Sequence, residues 1–414
     1  MINFLLKNKI HFLVLFISTI SYFSISFILD LEASKLLMFD GFQKGVDSVS
    51  YLQVGEWIYT QKPTYALNIR PYFYPLIVKT LSAIGGFYLI WFFHFACYIF
   101  SNLFIFKAVH LCSKSIFLAA ASSIIFLSNL SLVAISYHAL NETITVFILS
   151  IFIYLTALKI AKIIVTEQFW NFTVLIFGVL TVIKPVFSIP FTVLICLHVV
   201  YLLLYKKNVK TYLVPFIAVF IVSIQLMIMK VNFNVYSISN ISEITYKRYL
   251  FSQFISNKYS IDRKNADRKI DQLSNREIQQ ISKDNFQTLF SNFRDNLKNN
   301  IISPSYFETN RTAKNYPRSS LFMTNYNFYS YKSHILVFIS CVLILFFQFY
   351  RKLFKKEENE FWILFTIFSI CTYYIVVTGI SFYQLDRLVL GCIPLWLFLI
   401  NFVIVTILKK GKVN

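Results

Sequence analysis

The sequence predicts an all-α, polytopic membrane protein, and three observations carry that prediction. Hydrophobic residues fill 57% of the 414 positions and charged residues only 14%, more apolar surface than one soluble core requires. The apolar residues gather in runs of about 20, the length a helix needs to cross hydrocarbon that offers open backbone groups no partners. Lysine and arginine fall in short loops between those runs, so the formal net charge of +20 does not form the soluble basic face that nucleic acid would require.

Taken in order, the runs give ten expected spans, at about 10–29, 87–108, 115–136, 141–161, 169–184, 187–205, 211–230, 334–350, 361–380 and 388–408. Lys7 and Lys9 precede the first, but no small-x-small cleavage site follows, so it reads as an anchor. Lys184-Pro185 and Pro190 interrupt the run that holds the fifth and sixth; read as one kinked helix, the two would invert everything downstream. Lysines and arginines at Lys107, Lys114, Lys159, Lys162, Lys206, Lys207, Arg351 and Lys352 fall on one side of this arrangement, which makes that side, with both termini, cytoplasmic.

Three regions follow: an N-terminal transmembrane module (1–230) with a first outer loop at 30–86, an extracytoplasmic polar helical region (231–333), and C-terminal transmembrane helices (334–414). In the first outer loop, Tyr51, Leu52, Val54, Trp57 and Ile58 predict an amphipathic helix over 48–60 lying on the membrane surface, with Asp47 at its N-cap. A second helix is expected after Pro71, running towards Gly85-Gly86. The polar region opens as an Asn-rich loop. From about Asp262 to Asn300, apolar residues from Ile270 to Leu297 recur every three or four positions, predicting helices that pack on the membrane face of the protein. Beyond Pro304 aromatics alternate with polar residues.

Six cysteines lie in or beside apolar runs without CxxC spacing, which argues against a disulfide framework or structural zinc. Gly-rich phosphate loops, nucleophile elbows and HExxH are absent from the sequence, which leaves nucleotide hydrolysis, serine hydrolysis and zincin chemistry without support.

The candidate residues share the outer side. Asp47, a carboxylate at a helix start, suits a general base towards a hydroxyl acceptor, although a helix cap needs the same residue. Asp40 would support it, ligate a metal, or sit as a solvated turn residue. Arg70, before Pro71, would hold phosphate oxygens or snorkel to the headgroups. Glu142 opens the fourth span, where an acid must face protein, water or a cation. His138 lies four residues before it and the two could share a divalent metal, a weak pairing on its own. Lys184 at the proline break and Arg387 after Asp386 add two cations for a lipid phosphate; Tyr51, Tyr74 and His138 are candidate donor or acceptor contacts.

The order Asp47-Ser-x-x-Tyr51-Leu52, then Arg70-Pro71-x-x-Tyr74-Pro75-Leu76, resembles the start of GT-C superfamily membrane glycosyltransferases, the group with protein mannosyltransferases and lipid A aminoarabinose transferases. Glu142 opening a span, Lys184-Pro185 in place of the commoner Arg-Pro, and Asp386-Arg387 with Pro394 extend the resemblance across the membrane domain. It departs from several members in lacking an adjacent acid pair, since Ser48 follows Asp47. The resemblance implies inverting transfer of a sugar from a polyprenyl-phosphate donor to a glycan, lipid or protein acceptor at the outer face of a bacterial cytoplasmic membrane. Asp47 would be the catalytic acid residue of the first loop, Asp40 and Glu142 supporting acids, and Arg70, Lys184 and Arg387 the phosphate-side cations. Metal dependence does not carry over, and no cofactor is certain.

Two other readings stay open. An O-antigen-type polymerase would depend on arginines of the large loop, such as Arg311 or Arg318. A transporter or flippase would show polar breaks at mid-membrane and related halves.

Overall fold

The structure, a computed structural model, describes residues 9–28, 31, 46–62, 64–204, 212–302, 359–381 and 385–410. Asp40, the span expected at 334–350, Cys341 and the aromatic-rich stretch beyond Pro304 lie outside these residues.

Every regular element among the described residues is helical. In chain order they are α1 (Lys9–Ile28), α2 (Val46–Thr60), a 3-10 turn at Tyr65–Asn68, α3 (Phe73–Ser113), α4 (Ile116–Leu127), α5 (Leu130–Ser136), α6 (Glu142–Ile160), α7 (Thr166–Ile183), α8 (Ser188–Leu204) and α9 (Leu213–Phe233). After these come α10 (Ile241–Thr245), a π turn at Tyr246–Phe251, α11 (Ser252–Tyr259), α12 (Arg263–Asp271), α13 (Asn275–Asp284) and α14 (Phe286–Ile302). Last are α15 (Asn359–Val377), a 3-10 turn at Leu385–Leu388 and α16 (Ile393–Lys410).

Seven of the described helices are long and apolar enough to cross a membrane, or eight if α4 and α5, bent by 57°, form one span. Nine of the ten expected spans fall on described helices, the last of them, at 388–408, on the apolar stretch Leu390–Phe402 and α16. The expected span at 115–136 is broken because Asn129 accepts a hydrogen bond from Leu132 N–H at 2.8 Å and starts a new helix there. At the doubtful fifth and sixth spans, α7 and α8 are separate helices packed against each other across Lys184-Pro185.

The core is the interior of this bundle. α3 packs along α6 and α4, α16 lies on α3 and α6, and α7 packs on α9, α8 and α6. Gly178 lets α7 approach α9: a Cβ there would stand 3.1 Å from that of Ala218. Buried amides also tie helices together, Asn102 donating to Ser18 at 2.9 Å and Asn401 to Ser122 at 2.7 Å. Away from the core, large apolar side chains such as Phe16, Phe117, Leu203 and Phe216 face outward, as they would in a helix bundle surrounded by lipid.

The first-loop helix is present, but it does not lie free on a surface. α2 docks on α3 through Gly55, where a Cβ would meet Lys79 Cβ and the Pro75 carbonyl at 3.0 Å or less. Tyr51 is buried against Tyr74 of α3, while Val54 and Trp57 are buried with Ala66 and Leu67 of the 3-10 turn and Ile228 and Phe233 of α9. The helix expected after Pro71 continues through Gly85-Gly86 into α3 across a kink, and Gly86 has φ +64°, a conformation that disfavours any side chain.

The polar region also differs from expectation. Where an Asn-rich loop is predicted, α10, the π turn and α11 form, and they build a second small core with α12–α14 from Leu250, Phe251, Phe254, Ile255, Ile270, Ile278 and Leu289. Its apolar periodicity is largely spent inside that core, although Leu297 reaches the main bundle and Phe286 and Phe290 are exposed.

Candidate functional site

Five points at which helices start or break bring five charged side chains together. The first turn of α2 supplies Asp47, the segment after the Tyr65–Asn68 turn Arg70, the first residue of α6 Glu142, the α7–α8 break Lys184, and the Leu385–Leu388 turn Arg387.

They form one alternating chain. Arg70 Nη2 donates to Asp47 Oδ1; Arg387 Nη1 lies 2.8 Å from Asp47 Oδ2; Arg387 Nε donates to Glu142 Oε1 at 3.0 Å; and Lys184 Nζ lies 3.6 Å from the same oxygen. The order is Arg70, Asp47, Arg387, Glu142, Lys184, three cations to two carboxylates, so the cluster carries one positive charge in excess. Exposure differs among the five: the Asp47 side chain is 23% exposed, those of Arg70, Lys184 and Arg387 16%, 15% and 14%, and that of Glu142 3%. Asp47 stands at the mouth and Glu142 at the floor.

Each member is held by its own surroundings. Arg70 donates through Nε to Ser50 Oγ at 2.8 Å and lies over the Tyr51 ring, 4.7 Å from its centroid. Tyr74 meets Tyr51 edge-on at 4.9 Å, and its hydroxyl lies 3.0 Å from His94 Nε2. His94 Nδ1 is 3.1 Å from the Ser136 carbonyl, which can only accept; Nδ1 therefore donates and Nε2 accepts from Tyr74. The backbone around Arg70 is clamped as well. Gln225, buried within α9, accepts from Tyr72 N–H at 3.1 Å and donates to the Ile238 carbonyl at 2.8 Å, while Asn240 N–H reaches the Asn68 carbonyl at 2.9 Å.

Asn141, next to Glu142, donates to the Ile183 carbonyl at 2.7 Å and ties the α6 start to the Lys184 break. Lys184 Nζ faces the Tyr374 ring at 5.3 Å. Asn300 of α14 donates to the carbonyls of Thr378 and Ser381 at 2.8 and 2.7 Å, joining the polar region to the 3-10 turn Thr378–Ile380 that ends α15, a few residues before Arg387.

Electrostatics follow from this geometry. Burial works against the charged form of Asp47, but Arg387 and Arg70 outweigh it and hold the carboxyl at about 2. Burial pushes the Tyr51 hydroxyl up to about 12, so it stays a neutral shelf for Arg70.

Several expectations are corrected here. Asp47 is not the N-cap: it lies inside the first turn of α2, and its carboxylate goes to two arginines because opposite charges outweigh a capping bond. Arg70 does not snorkel outward, and Glu142 is paired with cations. Of the residues named as donor or acceptor contacts, Tyr51, Tyr74 and His138 are buried, at 2%, 0% and 7% exposure, with Tyr51 under Arg70 and Tyr74 against Tyr51. Among the described residues no three His, Cys, Asp or Glu group as metal ligands, and Glu142 Oε1 is engaged by Arg387 and Lys184. Sequence reasoning passed over Ser50, His94, Gln225, Asn300 and Tyr374. His94 and Gln225 carry a visible signal, each a strongly polar side chain inside an apolar run; Ser50, Asn300 and Tyr374 carry none.

No protein-family model, curated protein or solved structure matches the chain.

Proposed function

We propose that the protein is a multi-pass membrane glycosyltransferase that moves a sugar, with inversion, from a polyprenyl-phosphate carrier to a hydroxyl or amine acceptor at the outer face of the membrane. The observation that carries this reading is the convergence of Asp47, Arg70, Glu142, Lys184 and Arg387, residues up to 340 positions apart, in one chain of ion pairs. Five charges at the end of an apolar bundle are expensive to bury and add little stability that apolar packing would not. A cationic excess beside a carboxylate at the mouth suits a reaction that needs a phosphate held and a proton accepted.

In the reaction, the acceptor oxygen attacks the anomeric carbon and its proton passes to Asp47. The bond from that carbon to the phosphate oxygen breaks, and its electron pair leaves with the polyprenyl phosphate. Arg70, Arg387 and Lys184 stabilise the charge that develops on the leaving phosphate. Elsewhere α7, α8 and α15 border a groove of about 550 Å³ lined by Ile189, Val193, Leu197, Phe365, Ile370 and Tyr373, which suits an apolar carrier chain.

The test is transfer of radiolabelled sugar from a polyprenyl-phosphate donor in membranes. Arg70→Ala and Asp47→Asn at equal expression should each lower transfer by about 100-fold or more, the scale of a lost charge-stabilising or general-base group. Undiminished transfer by Asp47→Asn removes its role as base. Loss on Arg311→Ala or Arg318→Ala, with Asp47→Asn active, would favour the polymerase.

A further inference from the structure

The geometry points to an oxyanion seat between Arg70 and Arg387 that Asp47 itself fills, so that the donor phosphate binds by displacing the Asp47 carboxylate and thereby frees it to accept the acceptor's proton. The inference rests on the proposed transferase reading and adds an order to it: the base becomes available only once the donor is seated.

Three observations carry it. First, Asp47 bridges the two guanidiniums with one oxygen each, Oδ1 to Arg70 and Oδ2 to Arg387, the contacts that two oxygens of a phosphate could make in its place. Second, each arginine has a hold that does not depend on Asp47. Arg70 keeps Ser50 and the Tyr51 ring, and Arg387 keeps Glu142 at 3.0 Å, so the two edges facing Asp47 stay in position when the carboxylate leaves. Third, Asp47 is the most exposed of the five side chains and lies in the first turn of its helix, while Glu142 is sealed on the floor. It is the member that can move.

In the bridged state both oxygens of Asp47 are occupied and its basicity is suppressed, which fits a resting state and not a proton acceptor. An arriving phosphate takes over the guanidinium edges. Asp47 then faces a neighbouring anion instead of two cations, and its affinity for a proton rises. The step exchanges one anion for another on fixed cations and needs no other reactant. Once the acceptor O–H gives its proton to Asp47 and the sugar–phosphate bond breaks, product phosphate must leave before the carboxylate closes the seat again.

The test uses the purified full chain in detergent, with farnesyl phosphate as probe and farnesol as control. Asp47→Asn and Asp47→Ala remove the competing charge, so both should bind farnesyl phosphate at least tenfold more tightly than wild type; Asp47→Glu, which keeps the charge, should not. Farnesol affinity should be the same for all four proteins. Equal or weaker binding by the Asn and Ala variants, with wild type binding farnesyl phosphate, overturns the exchange and leaves the transferase reading standing. Absence of binding by every protein, together with absence of transfer, removes both. A measurement on wild type alone covers the case in which a variant fails to fold: carbodiimide with an amine should label Asp47 more with farnesyl phosphate than without it, as read by peptide mapping, and unchanged labelling overturns the proposal.

Discussion

The same ion pair occurs at two depths in this protein. In the polar region Arg248 of the π turn grips Asp271 of α12 at 2.6 Å, with the two side chains 37% and 59% exposed. In the bundle Arg387 grips Asp47 at 2.8 Å, with 14% and 23% exposed. The first pair has water to fall back on and resembles the surface ion pairs that contribute about 0–1 kcal/mol. The second belongs to a chain of five in which losing one member takes a counter-charge from its neighbours, with little water to replace it. The polar region is therefore held by the apolar core under its charges, while the bundle end is held to a charge pattern that apolar packing alone would not choose.

Substitutions can break that contrast. The largest effect is expected for Glu142→Gln, which leaves Arg387 and Lys184 facing each other on the floor of the cluster; about 3–5 kcal/mol of stability should be lost, read as a large fall in thermal midpoint in detergent. Arg387→Gln should follow, with a loss of several kcal/mol, whereas Arg248→Gln should stay within about 1 kcal/mol. Equal effects for the two arginines would erase the distinction between the regions.

Asn300→Ala should lose about 1–3 kcal/mol, because two carbonyls of the turn that ends α15 lose their donor. It should also lower transfer more than Asn285→Ala, whose amide donates within its own helix and accepts from Lys258 of α11, away from the cluster's turns. The smallest effect is one of pH. Asp47 is held at about 2, below its ordinary value of 3.8, so its stabilising share is complete above the ordinary value and is lost only as pH falls through about 2. Thermal midpoints of wild type and Asp47→Asn should therefore differ by a constant amount between about pH 5 and 8. A difference that changes across that window would show that the carboxylate is not clamped.

Much of the site was legible in the chain because a charge beside a long apolar run is conspicuous. Arg70, Glu142, Lys184 and Arg387 stand out for that reason alone, and Asp47 through its place at a helix start. The supports were harder to see. Gln225 and His94 are polar residues in apolar helices whose partners, Tyr72, Ile238 and Tyr74, follow only from packing, and Ser50 looks like any exposed helical serine until Arg70 reaches it. The aromatic face of α2 was visible as a stripe, but not that Tyr51 would meet α3 while Val54 and Trp57 meet the 3-10 turn and α9.

By itself the sequence determined the helical architecture and most helix boundaries, since runs of apolar residues and Pro, Gly and Asn breaks act over a few neighbouring positions. It also determined that acids and cations would collect at helix starts and breaks. Only the tertiary structure decided which acid meets which cation. That pairing depends on distances between segments far apart in the chain, and it turned Asp47 from a helix cap into the bridge between Arg70 and Arg387.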